Sequence, residues 1–272
     1  MTSHSATPVP TYTSASAPVA VRLGDGRAPR TAAVLAPVMG QWDRGAFLAP
    51  VAQALTAEYR VTVYDTLSLL RDGDDLTALA ARWADVLGAD DPDLLVGNAL
   101  GGAVVQHLLG RPWTRRARVV LLSAPTVADG PLDAALERVA AAVSSHGTAT
   151  AVRLLHEVVR GPDDIPAPQA TAATEGSDPL GDDPSAGRRL ADGLRLLRGA
   201  DARQHVEAFP GNLLHVYGTE SRLVQRRHLA AGPGHTRVGI PRAGMRPHAD
   251  QPQATRRAIT AFLGHPLTKK DT

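Results

Sequence analysis

LLVGNALGGAVVQHLL, residues 94–109, decides how this chain folds. An apolar, strand-like run ends at Gly97, a tight turn follows, and Gly101 and Gly102 open a helix. This is the frame of G-x-S-x-G, a strand–turn–helix that holds a serine hydroxyl above a parallel sheet. The serine position is Ala99, and a methyl group can neither attack a carbonyl nor carry an acyl intermediate.

On either side of this elbow, short apolar runs alternate with helical patterns. Strands are expected at 18–23, 31–36 (TAAVLA), 60–65, 93–97, 118–123 (RVVLLS), 212–217 (NLLHVY) and 235–240. Helices are expected at 45–57, 75–88, 100–110 and 251–263. Continuous β-branched and leucine runs separated by helices predict an α/β fold, with a mostly parallel, doubly wound sheet covered on both faces. The rhythm breaks between 126 and 205. Residues 131–160 read as one or two amphipathic helices, 161–187 as a polar, proline-rich mobile stretch, and 188–199 as helix again. An insertion after the 118–123 strand is where a lid would sit over the carboxyl ends of the strands. The expected organisation is a disordered tail over 1–17, a core formed by 18–125 and 206–264, a helical cap or lid over 126–205, and a tail over 265–272.

Composition sets further limits. The 272 residues are 43% hydrophobic, enough for one large domain or one domain with a cap. Cysteine is absent, which removes disulfides, thiolate zinc sites and cysteine nucleophiles together. No apolar run reaches membrane-spanning length, and residues 1–17 lack the layout of a secretion signal, so a cytoplasmic protein without membrane partners is expected. The pI near 9.3 comes almost entirely from arginine, with lysine only at Lys269 and Lys270. The formal charge is +2 and the arginines are scattered, not striped with aromatics, which argues against nucleic-acid binding. Such arginine- and alanine-rich usage is typical of a high-GC genome.

Together these segments resemble the α/β-hydrolase family over roughly 18–264. VLAPVMGQWD (34–43) is similar to the oxyanion loop L-H-G-x-x-G-x-W. VYGTESRLV (216–224) is similar to G-x-x-D-x-x-V, which carries the triad acid, and IPRAGMRPHADQPQATRRAITAFL (240–263) to the A-G-H-x-P-H-x-E-Q-P segment and final helix that carry the triad histidine. Residue by residue, the resemblance puts Ala99 at the nucleophile, Ser221 at the acid and Met245 at the histidine, with Ala36-Pro37 in place of the histidine-glycine pair. A Ser-His-Asp relay needs all three roles filled. Three separate replacements point to a natural non-hydrolytic member.

The resemblance also implies what survives: an oxyanion hole formed by the N–H groups of Leu100 and Val38, with the positive end of the elbow helix aimed at the same point. Such donors stabilise any oxygen gaining negative charge, an enolate included, at about 2.7–4 kcal/mol each. Among side chains, Asn98 is either a hydrogen-bond donor into the pocket or a turn residue. His248 matches the second histidine of the family segment and is a candidate base, as is Glu220 beside the vacated acid position. Ser221 either bonds a ligand or ends the strand. Met39, Trp42, Ala99 and Met245 are expected to shape an apolar pocket, each with ordinary packing as the alternative. His146 reaches substrate from the lid or caps a solvated helix end. His107 reads as packed and Asp65 as a turn cap. The run Asp72, Asp74, Asp75 lacks calcium-loop spacing and reads as turn and helix-start chemistry. No histidine-rich cluster has metal spacing and the glycines do not match a dinucleotide fingerprint, so no cofactor is expected.

Three functions stay open. The first is a lyase or cyclase acting on a polyketide-like, apolar, carbonyl-containing small molecule; the secondary-metabolism element rests on composition and on the family's re-use in such pathways. The second is a catalytically dead ligand-binding protein or scaffold. The third is a hydrolase with a relocated base, using water activated by His248 or Glu220. A homodimer is an open alternative to a monomer.

Overall fold

The computed structural model describes residues 17–24, 26–162 and 183–264. Seven strands form one sheet: β1 (Ala20–Leu23), β2 (Arg30–Leu35), β3 (Tyr59–Tyr64), β4 (Leu94–Asn98), β5 (Arg118–Leu122), β6 (Leu213–Gly218) and β7 (Thr236–Ile240). Their order is β1-β3-β2-β4-β5-β6-β7; β1 runs antiparallel to β3 and every other pair is parallel. The α/β fold with a mostly parallel sheet is therefore as expected, and each strand lies within two residues of its expected limits.

Alternation along the central strands explains the two-sided covering. On β5, Val119 and Leu121 join one core cluster while Val120 and Leu122 join the other. Leu95 and its neighbours Leu94 and Val96 divide in the same way on β4. Such period-2 burial on both faces is what a parallel sheet requires. Helices α1 (Ala49–Leu55) and α9 (Pro252–Gly264) supply Val51, Leu55, Ile259 and Leu263 to one face. The other receives α2 (Leu76–Asp90), α3 (Leu100–Leu108) and α7 (Arg203–Ala208), with Trp83, Val104 and Val206 buried there. Asp75 caps α2 by accepting from the Ala78 N–H at 2.7 Å, and Asp74 accepts from the Arg71 N–H, so the acidic run starts a helix as its turn chemistry suggested. A short helix, α8 (Pro247–Asp250), precedes α9.

The break after β5 holds α4 (Gly130–His146), α5 (Thr148–Val159) and α6 (Pro184–Arg195). Residues 131–160 thus form two helices, divided at Gly147, whose φ of 84° is open to glycine at little cost. Helix α6 begins inside the stretch expected to be mobile: Asp183 accepts from the Ser185 N–H and Pro184 occupies the first turn, a start signal that the polar composition concealed. The expected tails and the centre of the 161–187 stretch lie outside the described residues. Among the described residues, no helix is long and apolar enough to cross a membrane.

Candidate functional site

The elbow is built by sterics. Ala99 joins β4 to α3 with φ 47° and ψ −111°, a conformation that costs an L-residue about 1–3 kcal/mol. The turn is tight enough to exclude side chains from its flanks. A Cβ on Gly101 would lie 2.2 Å from the Leu35 carbonyl oxygen, and one on Gly97 would lie 2.4 Å from Gly102 Cα. The Ala99 N–H is tied to the Leu122 carbonyl on β5, and Leu100 is fully buried as the first residue of α3. The leading N–H groups of a helix have no acceptor within it, and that of Leu100 is the first of α3, directly after Ala99.

Above Ala99 lies a cavity of about 340 Å³. Its floor and rim come from Pro37, Val38, Met39, Asn98, Ala99 and Met245; Leu136 of α4, Val152, Leu155 and Val159 of α5, and Leu190 and Leu194 of α6 cover it. The structure thus brings the expected Val38, Met39, Asn98, Ala99 and Met245 together on one cavity. Asn98 is buried and its amide donates to the Leu122 carbonyl at 2.9 Å, so its nitrogen braces the elbow against β5. Ser221 is buried behind Met245, and its hydroxyl lies 3.8 Å from the Met245 sulfur.

Other candidates fall elsewhere. His248 is fully buried, its ring edge-on to Phe47 at 4.8 Å, against α1 and α9 and not on the cavity wall. Burial, then the Arg246 charge, pushes its pKa down to about 4, so it is neutral at pH 7. Glu220 is exposed beside Thr219, where a carboxylate keeps its hydration, and does not line the cavity. His146 is exposed at the end of α4, with its Nδ1 2.7 Å from the Ser145 hydroxyl, also off the cavity. Trp42 packs half-buried on the α1 and α9 side of the sheet and is not a lining residue. His107 is anchored to the Ala103 carbonyl at 3.0 Å.

The cavity also uses residues that sequence reasoning missed. Gln41, Phe47, His156 and Arg246 line it, and so do Leu190, Leu194 and Leu197, whose i, i+4, i+7 spacing was a readable signal. Arg189 of α6 makes a second unforeseen connection. Its Nε donates to the Met39 carbonyl at 3.0 Å and its terminal nitrogen pairs with Asp65, which also caps its own turn through the Leu67 N–H. One cationic side chain thus ties a covering helix to the loop that carries Val38. Burial raises the Asp65 pKa, against which the Arg189 charge acts. Helix α6 sits close against the same loop: a Cβ on Gly40 would lie 3.2 Å from the Ala186 carbonyl oxygen.

With this geometry in place, comparison with known proteins gives a consistent answer. The family model described as the alpha/beta hydrolase family matches residues 32–258. The chain belongs to the alpha/beta hydrolase family. Its backbone is similar to that of MGS-M2, an alpha/beta hydrolase enzyme from a Medee basin deep-sea metagenome library, with a TM-score of 0.74 at 13% identity over 94% of this chain and 96% of that one. It is also similar to a hydrolase from Pseudomonas aeruginosa (TM-score 0.69, 22% identity, 90% and 94% of the two chains). The enol-lactonase from Burkholderia xenovorans is similar at a TM-score of 0.69 and 16% identity, over 91% and 96%. At these identities the likeness concerns the fold. No curated protein gives a significant match.

Proposed function

We propose that this protein is a non-hydrolytic member of its family, with Ala99, Ser221 and Met245 where a hydrolase keeps nucleophile, acid and base. In this reading it is a cyclase that folds and polarises an apolar, polyketide-like carbonyl compound beneath the cover formed by α4, α5 and α6. One observation carries the reading: among the described residues lining the cavity above Ala99, none bears a hydroxyl, thiol, amine or carboxylate. Acyl transfer through a serine, threonine, cysteine, lysine or carboxylate nucleophile needs such a group beside a base. What the wall offers instead is the Val38 loop, the elbow at Ala99 from which α3 starts, and a close apolar surface.

Cyclisation suits those resources. It needs the reacting ends held together and the carbonyl oxygen stabilised as it gains charge, and it exchanges no atoms with solvent. Elimination of a leaving group is the second reading and is favoured by one residue. It requires proton abstraction, and His156, at the exposed edge of α5, is the imidazole among the described lining residues, a side-chain type that takes protons in such steps. Neither His248 nor Glu220 lines the cavity, which weighs against water activation by a relocated base. Met39 and Met245 line the space without filling it, which weighs against a pure scaffold.

Mass spectrometry of a linear polyketide-like ketone or ester incubated with the protein tests the proposal. Altered retention at unchanged mass supports cyclisation, and loss of acid or water supports elimination. Saturable binding with no chemical change would leave a ligand-binding protein and overturn the enzyme reading.

A further inference from the structure

We propose that the cavity takes its apolar ligand as a carboxylate, and that Arg246 is the residue that holds the charged end. The inference rests on the reading of the cavity as a small-molecule site, and it adds a ligand class that Ala99 and the oxyanion loop do not specify.

The described part of the wall carries charge of one sign. Among the described lining residues Arg246 carries the fixed charge, His156 is the other basic group, and no aspartate or glutamate is present. The remaining wall is largely leucine, valine, methionine and phenylalanine, with Gln41 and Asn98 as its amides. Arg246 is half-buried next to Met245 and forms part of the cavity lining. A guanidinium matches a carboxylate through two parallel N–H···O bonds, and its five donors let it keep protein partners while it does so. In a low-dielectric enclosure such a bond is stronger than at an open surface. Its field also helps, after burial, to keep the nearby His248 neutral, so no second fixed cation competes from that side.

The two ends of the ligand then have separate environments. The carboxylate lies at Arg246, and the apolar body lies among Leu136, Val152, Leu155, Leu190 and Leu194. A volume of about 340 Å³ is at the lower end of the usual range for small-molecule sites, which suits a body of modest size.

Isothermal titration of octanoic acid and of methyl octanoate into the full-length protein at pH 7.5 tests this. The acid should bind at least about tenfold more tightly than its ester, a ratio in keeping with a charge-assisted hydrogen bond. Arg246→Gln should abolish the ratio while still binding the ester, which also certifies a folded variant; Arg246→Lys should keep part of it. Should Arg246→Gln not fold, a wild-type ratio undiminished in Arg246→Lys would contradict the bidentate assignment. Equal affinities in the wild type, or a preference that survives Arg246→Gln, would overturn this inference while leaving the cavity reading in place. Binding of neither probe would overturn both.

Discussion

The Ser221 hydroxyl donates to the Met245 sulfur at 3.8 Å, so two buried residues 24 positions apart meet beside the elbow at Ala99. Met245 reaches the cavity and Ser221 stands behind it, the relative placement that an orienting group and a base would need. On the proposed reading, the frame of a relay has outlived its chemistry.

Restoring the hydroxyl alone should therefore achieve nothing. Ala99→Ser should leave p-nitrophenyl ester hydrolysis at the level of the wild type, since Ser221 and Met245 supply neither acid nor base to activate the new oxygen. Adding Ser221→Asp and Met245→His should produce a burst of p-nitrophenol and an acyl adduct. A burst from the single variant would mean that another base serves this position.

Turnover should depend on backbone donors. Val38→Pro removes an N–H without adding charge, and loss of one oxyanion-hole donor costs about 2.7–4 kcal/mol, or roughly 10²–10³ in rate. Single-turnover kinetics on a substrate found by the mass-spectrometric assay should show that loss, with ligand affinity changed far less. A proportional fall in affinity and rate would assign Val38 to ground-state packing.

Arg189 and Asp65 should behave as a coupled pair. Their side chains are 16% and 6% exposed, so Arg189→Met leaves a nearly buried carboxylate without its partner and should destabilise the fold by about 3 kcal/mol. The double variant Arg189→Met with Asp65→Leu should recover much of that. Urea unfolding measures both, and additive losses would contradict the coupling.

Acidification should weaken the fold through two buried imidazoles. Burial lowers the pKa of His215 to about 3, and that of His248 to about 4, while both titrate near 6.5 when unfolded. Between pH 6.5 and 4 the unfolded chain binds more protons than the folded one, so stability falls with pH, by about 1.4 kcal/mol per histidine at pH 5.5. Thermal melts from pH 7.5 to 5 should show the fall, and His248→Gln should flatten its slope by about one proton. An unchanged slope would mean that His248 is hydrated in the folded state.

Particular residues show why the architecture was readable in the sequence and parts of the site were not. Val119 to Leu122 advertise a doubly buried strand, and Gly97 with Gly101 and Gly102 declare an elbow because no side chain fits there. Such constraints are local, and the chain states them directly. The lining by Met39, Asn98, Ala99 and Met245 followed from the family resemblance, which fixes the order of segments around the strand ends. Arg246 and Arg189 gave no signal because arginine is common along this chain and neither sits in a pattern of its own. Their importance arises from what folding brings near them: the apolar cavity in one case, and Asp65 and the Met39 carbonyl in the other. His248 and Glu220 were misplaced for a related reason. Closeness in sequence to a catalytic position does not say which face of the wall a side chain takes.

Whether an activated serine serves the cavity above Ala99 is read most directly by a fluorophosphonate probe. Such a probe phosphonylates an activated serine and adds its mass to the protein. Intact-mass measurement of the wild type after prolonged exposure should show the unmodified chain, alongside full labelling of an ordinary serine esterase treated in parallel. A stoichiometric adduct on the wild-type chain, mapped to a serine near the cavity, would contradict the account and make this protein a hydrolase with a relocated nucleophile.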